Sequence, residues 1–215
     1  MTVDTAESTS LATLAVATGV SEKKNTDYSP QDRRVPGNGA VWVGIFAEMS
    51  EFALMFLVYF IAKVHYPEVF DQGPLRLHTT AGVLNTLALL TSSYCVAKAM
   101  KSVRMDRIPQ AIRWLWGTII AAVAYLIIKA WEYQWNIEQG IEVDTNLFFT
   151  VYYYMTFNHF LHVFWGGGAI LWAIMRLKNG GYTAERHEGM EAIASYWHMI
   201  DLVWIVIFPL LYVLR

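Results

Sequence analysis

The chain has 215 residues, 55% hydrophobic and 16% charged, with nine Trp, twelve Tyr and eleven Phe. Its positive mean hydropathy marks a composition too apolar for a soluble domain of this size. A formal charge of -2 argues against nucleic acid as a partner, because phosphates ask for a concentrated basic surface, and the lone Cys95 excludes an internal disulfide and any multi-cysteine metal site.

Residues 1–39 stand apart from the rest. They are rich in Thr, Ser and Ala, carry Lys23, Lys24, Arg33 and Arg34, and end in the breaker cluster Pro36-Gly37-Asn38-Gly39, which predicts a disordered cytoplasmic tail. The mildly apolar stretch from Leu11 to Val20 is too short to cross a bilayer, and no basic residue precedes it as a secretory signal requires.

From Val41 onward, apolar runs long enough to cross roughly 30 Å of hydrocarbon recur between short polar interruptions. Spans are expected near 41–64, 77–100, 111–136, 147–177 and 193–214, so residues 40–215 read as an all-α polytopic membrane domain, a bundle of five transmembrane helices. Basic loops are retained on the cytoplasmic side. Lys98, Lys101, Arg104, Arg107 and Arg113 surround the second connection, and Arg176, Lys178 and Arg186 the fourth. No Lys or Arg occurs between Lys129 and Arg176, a stretch that holds the acidic loop with Glu138, Glu142 and Asp144. The expected orientation in the cell's inner (plasma) membrane therefore has the N-terminus cytoplasmic and Arg215 outside.

An ionisable group inside a span costs roughly 2.5–3.5 kcal/mol at a helix centre, so each one needs a partner or a function. Glu48 and Glu51 fall in span one, Lys129 and Glu132 toward the outer end of span three, His159 and His162 in span four, and His198 with Asp201 in span five. Residues three apart share a helix face, which pairs His159 with His162 and His198 with Asp201. A carboxylate and two such His pairs can build a metal site in a bundle. However, the paired Glu-x-x-His motifs of di-iron bundles and any H-E-x-x-H helix are missing. The plainer reading is that these groups bond across helix interfaces.

Glu48 lies roughly 10 Å into its span, about seven residues at 1.5 Å each from Val41, where a carboxyl is suited to relaying protons. His198 enters from the same side to a similar depth, so the two are expected to meet. The aromatic residues Trp131, Tyr133, Trp135, Tyr152, Tyr153 and Tyr154 read as interfacial anchors, and Gly166, Gly167 and Gly168 as a close-packing stretch.

At these residues the chain resembles subunit III of the haem-copper oxidases. Tyr196-Trp197-His198-Met199-Ile200-Asp201-Leu202-Val203-Trp204 is similar to the terminal-helix signature YWHFVDxVW of that family. Leu84-Asn85-Thr86 with Leu89-Leu90 resembles its LNTxxLL segment, Trp131-Glu132-Tyr133 its EY element, and Thr156-Phe157-Asn158-His159-Phe160-Leu161-His162-Val163 its TGFHGLHV motif. The motifs keep the family's order over residues 40–215 and match its five-helix form. Phe157 and Phe160 stand where the usual motif has glycines, and Glu51 adds a second acid beside Glu48. Those departures resemble the accessory branch associated with nitric oxide reductases.

The resemblance implies a chain without catalytic residues, metal or haem of its own. Haem, with copper or non-haem iron, would sit in a partner, the catalytic subunit of an oxidase or nitric oxide reductase. Phospholipid would be bound, with Trp131, Glu132, His159 and His162 as lipid-binding or interhelical polar residues, and Glu48, His198 and Asp201 as proton-related or structural ones. Two other functions compete: an independent metal-dependent membrane enzyme using the His pairs, and a proton-coupled transporter built around Glu48. The odd span count offers the transporter no evident inverted repeat.

Overall fold

The computed structural model describes residues 39–214. The segment expected to be a tail lies outside the described residues, apart from Gly39. The described residues form helices joined by short loops: α1 (Gly39–His65), α2 (Pro67–Gln72), α3 (Thr79–Arg104), α4 (Ile108–Glu138), α5 (Leu147–Lys178) and α6 (Glu188–Tyr212), with a 3-10 turn at Gly73–Arg76 between α2 and α3. Among the described residues, five helices, α1 and α3 to α6, are long and apolar enough to cross a membrane. The chain is a multi-pass membrane protein.

Local chemistry sets the ends of these helices. Pro67 opens α2 and Pro109 lies in the first turn of α4, where a missing N–H costs nothing. The Asn146 side chain accepts from the Phe149 amide at 3.1 Å at the start of α5, and His78 Nδ1 accepts from the Ala81 amide at 3.2 Å at the start of α3. The sequence places span five from residue 193, whereas α6 begins at Glu188. Acidic Glu188 and Glu191 in its first turn favour the positive end of the helix dipole, so the helix runs past the apolar stretch. The first connection likewise holds α2 and the 3-10 turn, too short to register as apolar periodicity.

Helices α3, α4, α5 and α6 pack around one core, and α1 rests against α5 and α6 at the edge. Lipid tails are as apolar as Leu, so these contacts rest on close packing and interhelical hydrogen bonds rather than on a hydrophobic drive between helices. The two Trp of the terminal-helix motif supply both. Trp197 Nε1 donates to Ser92 Oγ at 2.9 Å and Trp204 Nε1 to Thr86 Oγ1 at 3.0 Å, fastening α6 to α3. Across from Trp197, a Cβ on Gly166 would come within 2.9 Å of Ile200 Cδ1 and 3.1 Å of the Trp197 ring, so glycine allows this approach of α5 to α6 without those side chains shifting. Gly167 and Gly168 meet nothing within 4 Å and take no part in that packing.

α1 buries a narrow stripe of Ile45, Phe52, Met55, Tyr59 and Ala62, and Tyr59 Oη donates to the Leu210 carbonyl at 2.8 Å. Its remaining surface, including Phe46, Leu54, Leu57, Val58, Phe60 and Ile61, is exposed.

Candidate functional site

Two groups of ionisable side chains lie at membrane depth. The first is sealed. Lys129 and Glu132 share one face of α4, and both side chains are 0% exposed. Lys129 Nζ donates to Glu132 Oε2 at 3.1 Å, to Tyr152 Oη at 3.2 Å and to Tyr212 Oη at 2.7 Å. Both tyrosine hydroxyls in turn donate to Glu132 Oε1, at 2.9 and 2.6 Å. Asn136 Nδ2 donates to Tyr152 Oη at 3.3 Å. The rings of Tyr133, Tyr152, Trp204 and Tyr212 stand 4.8–5.5 Å from the ammonium, which adds cation–π attraction in a dry setting. The three donors of the ammonium and both carboxylate oxygens are thus used within the protein, and α4, α5 and α6 are tied together. Neighbouring helices enclose Glu132 completely. Tyr152, expected among the interfacial anchors, is buried in this network instead; Trp131 and Tyr154 remain exposed at the surface.

His159 sits beside this network and is also fully buried. Its ring stacks on Trp204 at 5.1 Å and meets Tyr125 edge-on at 5.6 Å. It shares a face with His162 in the sense that both rings touch Phe52, at 6.3 and 5.2 Å. Only His162 has hydrogen-bond partners; neither ring nitrogen of buried His159 has one among the described residues.

The second group is open. His162 Nε2 and Glu48 Oε2 lie 2.7 Å apart, and His162 Nδ1 lies 2.8 Å from the Asn158 carbonyl. A carbonyl only accepts, so Nδ1 carries a hydrogen, and a single proton is shared between Nε2 and the Glu48 carboxyl. One turn further along α1, Glu51 Oε1 accepts from Asn158 Nδ2 at 2.6 Å. Glu48 therefore meets His162 on α5, not His198 as its depth suggested. Depth along a span does not specify which neighbour a side chain faces.

His198 instead bonds Ser93 Oγ through Nδ1 at 2.7 Å. It is exposed, lining a groove with Lys101, Arg104, Glu191 and Ser195, away from the Glu48 it was expected to meet. The hydroxyl that holds it lies at the rim of α3. Asp201, one turn on, is 3% exposed with Ser93 alongside, while Leu202 and Ile205 face outward. Arg104 Nη2 closes the groove's edge against Glu191 Oε1 at 2.8 Å.

Among the described residues, no group of three or more His, Cys, Asp or Glu is placed to hold a metal. The His159 nitrogens are packed among rings, and those of His162 are committed to Glu48 and Asn158. The two His pairs therefore do not come together as one ligand set among the described residues.

Comparison with known proteins agrees with the order of the motifs. The family model described as cytochrome c oxidase subunit III matches residues 39–214. A cytochrome c oxidase subunit 3 of Thermostichus vulcanus is 30% identical over 173 residues, covering 80% of this chain and 84% of that one. Another from Synechocystis sp. is 30% identical over 207 residues, 92% of this chain and 86% of the relative. A heme-copper oxidase subunit I+III of Aeropyrum pernix is 28% identical over 179 residues, 80% of this chain but 22% of that longer protein. With the match running from the first described helix to the last, the chain belongs to the cytochrome c oxidase subunit III family.

Proposed function

We propose that the protein is a non-catalytic accessory subunit that packs against the haem-bearing catalytic subunit of a haem-copper oxidase and supports its assembly, proton uptake and sustained turnover. The observation that carries this reading is the family match over residues 39–214. The fused subunit I+III relative supports the partnership, since there the two kinds of subunit are named as one chain. In this reading haem and copper belong to the partner. This chain's residues bind, seal and pass protons: the Glu48–His162 pair handles a proton, the Lys129–Glu132 network fixes the bundle, and exposed Trp131 lies at the lipid boundary. The loop charges favour a cytoplasmic N-terminus in the cell's inner membrane. Phe157 and Phe160, whose rings stack at 6.4 Å, favour a nitric oxide reductase as the second partner to consider.

Affinity purification of the tagged chain from its native membrane in mild detergent tests the proposal. Haem absorbance and a second, larger chain are expected in the eluate, with oxygen consumption that declines faster in membranes lacking this subunit. Nitric oxide consumption without oxygen consumption would move the assignment to the second partner. Recovery of the chain alone, with full oxidase turnover in its absence, would overturn both.

A further inference from the structure

Between α1 and α5 runs a groove of about 450 Å³, lined on one side by Glu51, Leu54, Met55 and Val58 and on the other by residues of α5 from Leu147 to Met155. Its walls are mostly apolar, with Glu51 at one end and the hydroxyl-bearing Thr150 and Tyr154 on the α5 side. Glu51 lies about 18 Å along a helix of roughly 40 Å, close to mid-depth in the bilayer. It is exposed, and on the same side of α1 the Glu48 side chain is 36% exposed. Asn158 supplies one hydrogen bond to Glu51 Oε1, which leaves Oε2 and the outer flank of both acids facing out of the bundle.

Such a surface does not suit acyl chains. A lipid lying in the groove would bring the apolar end of its chain to the Glu51 carboxyl and offer no donor to Oε2, the oxygen that Asn158 does not bond. A transmembrane helix does suit it. Apolar side chains of such a helix fill the groove past Leu54 and Val58, and a donor at mid-depth meets Glu51. The sealed network shows how this protein treats charge when its own helices supply the partners: Glu132 has donors on both oxygens.

We infer that the α1–α5 groove is the seat of a transmembrane helix of the catalytic partner, one that carries a hydrogen-bond donor such as Ser, Asn, His, Lys or Arg at the depth of Glu51. This inference rests on the accessory-subunit reading and adds the surface that reading leaves unspecified.

The test uses the whole complex in native membranes. A photo-crosslinking amino acid replaces Leu54 or Val58 in the groove, or Ile120 or Ile127 on the exposed face of α4 as controls. The groove positions are expected to give a covalent adduct with the haem-bearing chain and the α4 positions to give lipid adducts. In parallel, Glu51→Leu should lower the fraction of catalytic subunit retained through detergent extraction roughly tenfold. Glu51→Gln, whose amide oxygen still accepts, should retain it near the native level. Lipid adducts, or adducts with a second copy of this chain, at Leu54 and Val58 in a complex that still co-purifies would overturn the inference and leave the accessory reading standing. Absence of any co-purifying haem-bearing chain would overturn both. Should Glu51→Leu fail to accumulate, the crosslinks at Leu54 and Val58 in the otherwise native chain decide alone.

Discussion

The Lys129–Glu132 network and the Glu48–Glu51 face hold the same kinds of residue at membrane depth, and they are completed in opposite ways. In the first, Tyr152 and Tyr212 from two other helices bond both Lys129 and Glu132, and neither charged side chain reaches the surface. In the second, among the described residues, α5 supplies the hydrogen-bond partners, His162 and Asn158, and the outer side stays open. The sealed group is a matter of the subunit's own stability. The open group concerns what lies next to the subunit. Substitutions should therefore separate the two, with the sealed group governing unfolding and the open group governing association and turnover.

The largest effect is expected at Glu132. Glu132→Leu leaves the Lys129 ammonium buried beside two tyrosine hydroxyls with no counter-charge, which costs about 3–5 kcal/mol where a buried pair is broken from one side. Thermal unfolding of the detergent-extracted protein should show it, together with reduced accumulation in the membrane. Adding Lys129→Met removes the orphaned charge and should recover most of the loss, because replacing both partners by apolar groups is close to neutral. If Glu132→Leu unfolds at the native temperature, the network carries no weight and the contrast between the two regions collapses.

Next in size is the α5–α6 contact. Gly166→Ala places a methyl within 2.9 Å of Ile200 Cδ1 and 3.1 Å of the Trp197 ring, so the end of the Ile200 side chain must turn aside and the ring must give by a few tenths of an ångström, at the low end of about 1–3 kcal/mol for overpacking. Gly167→Ala meets nothing and is the matched control, expected to hold or slightly raise stability through better helix propensity. Equal losses in both variants would place the glycine effect in the helix backbone rather than in packing. For Trp197→Phe the lost donor to Ser92 is expected to cost about 0.5–1.5 kcal/mol, with a further loss from the cavity that the smaller ring leaves at this buried position. The same thermal measurement checks it against Trp204→Phe.

How much of this was legible in the sequence follows from the range of each interaction. The five spans and the all-α class depend on local apolar length, so they read directly, with the largest error where acidic Glu188 and Glu191 extend α6 beyond its apolar stretch. Lys129 and Glu132 stood out in the sequence as ionisable residues inside span three, but their closing into one ion pair was not read from it. Tyr152 and Tyr212 were not legible as their partners, being 20 and 80 residues from Glu132 and indistinguishable in composition from interfacial aromatics. The sequence likewise marked Glu48 as exceptional without saying that His162, 114 residues on, would face it. His198 shows the reverse error. It shares a helical side with buried Asp201, but a Ser93 hydroxyl at the rim of α3 holds it in the groove.

The smallest effect on stability, and the sharpest test of the open group, is expected at Glu48. The hydrogen on His162 Nδ1 is fixed by the Asn158 carbonyl, so one proton is shared between His162 Nε2 and Glu48 Oε2, whichever of the two holds it. Glu48→Gln keeps that contact in either case, since the amide donates to a neutral Nε2 through its nitrogen and accepts from a charged one through its oxygen. What it removes is the exchangeable proton. Glu48→Ala removes the contact as well. Assembly with the catalytic partner should therefore survive Glu48→Gln and weaken in Glu48→Ala, while sustained turnover of the assembled complex falls in both, by less than about tenfold. Turnover that drops equally in the two variants while only Ala loses partner chain would place the functional contribution in the proton and the structural one in the bond. Native turnover in both would reduce Glu48 to a tolerated acid at the edge of the bundle. Complete loss of the reaction in an assembled Glu48→Gln complex would show that the open group acts directly in catalysis.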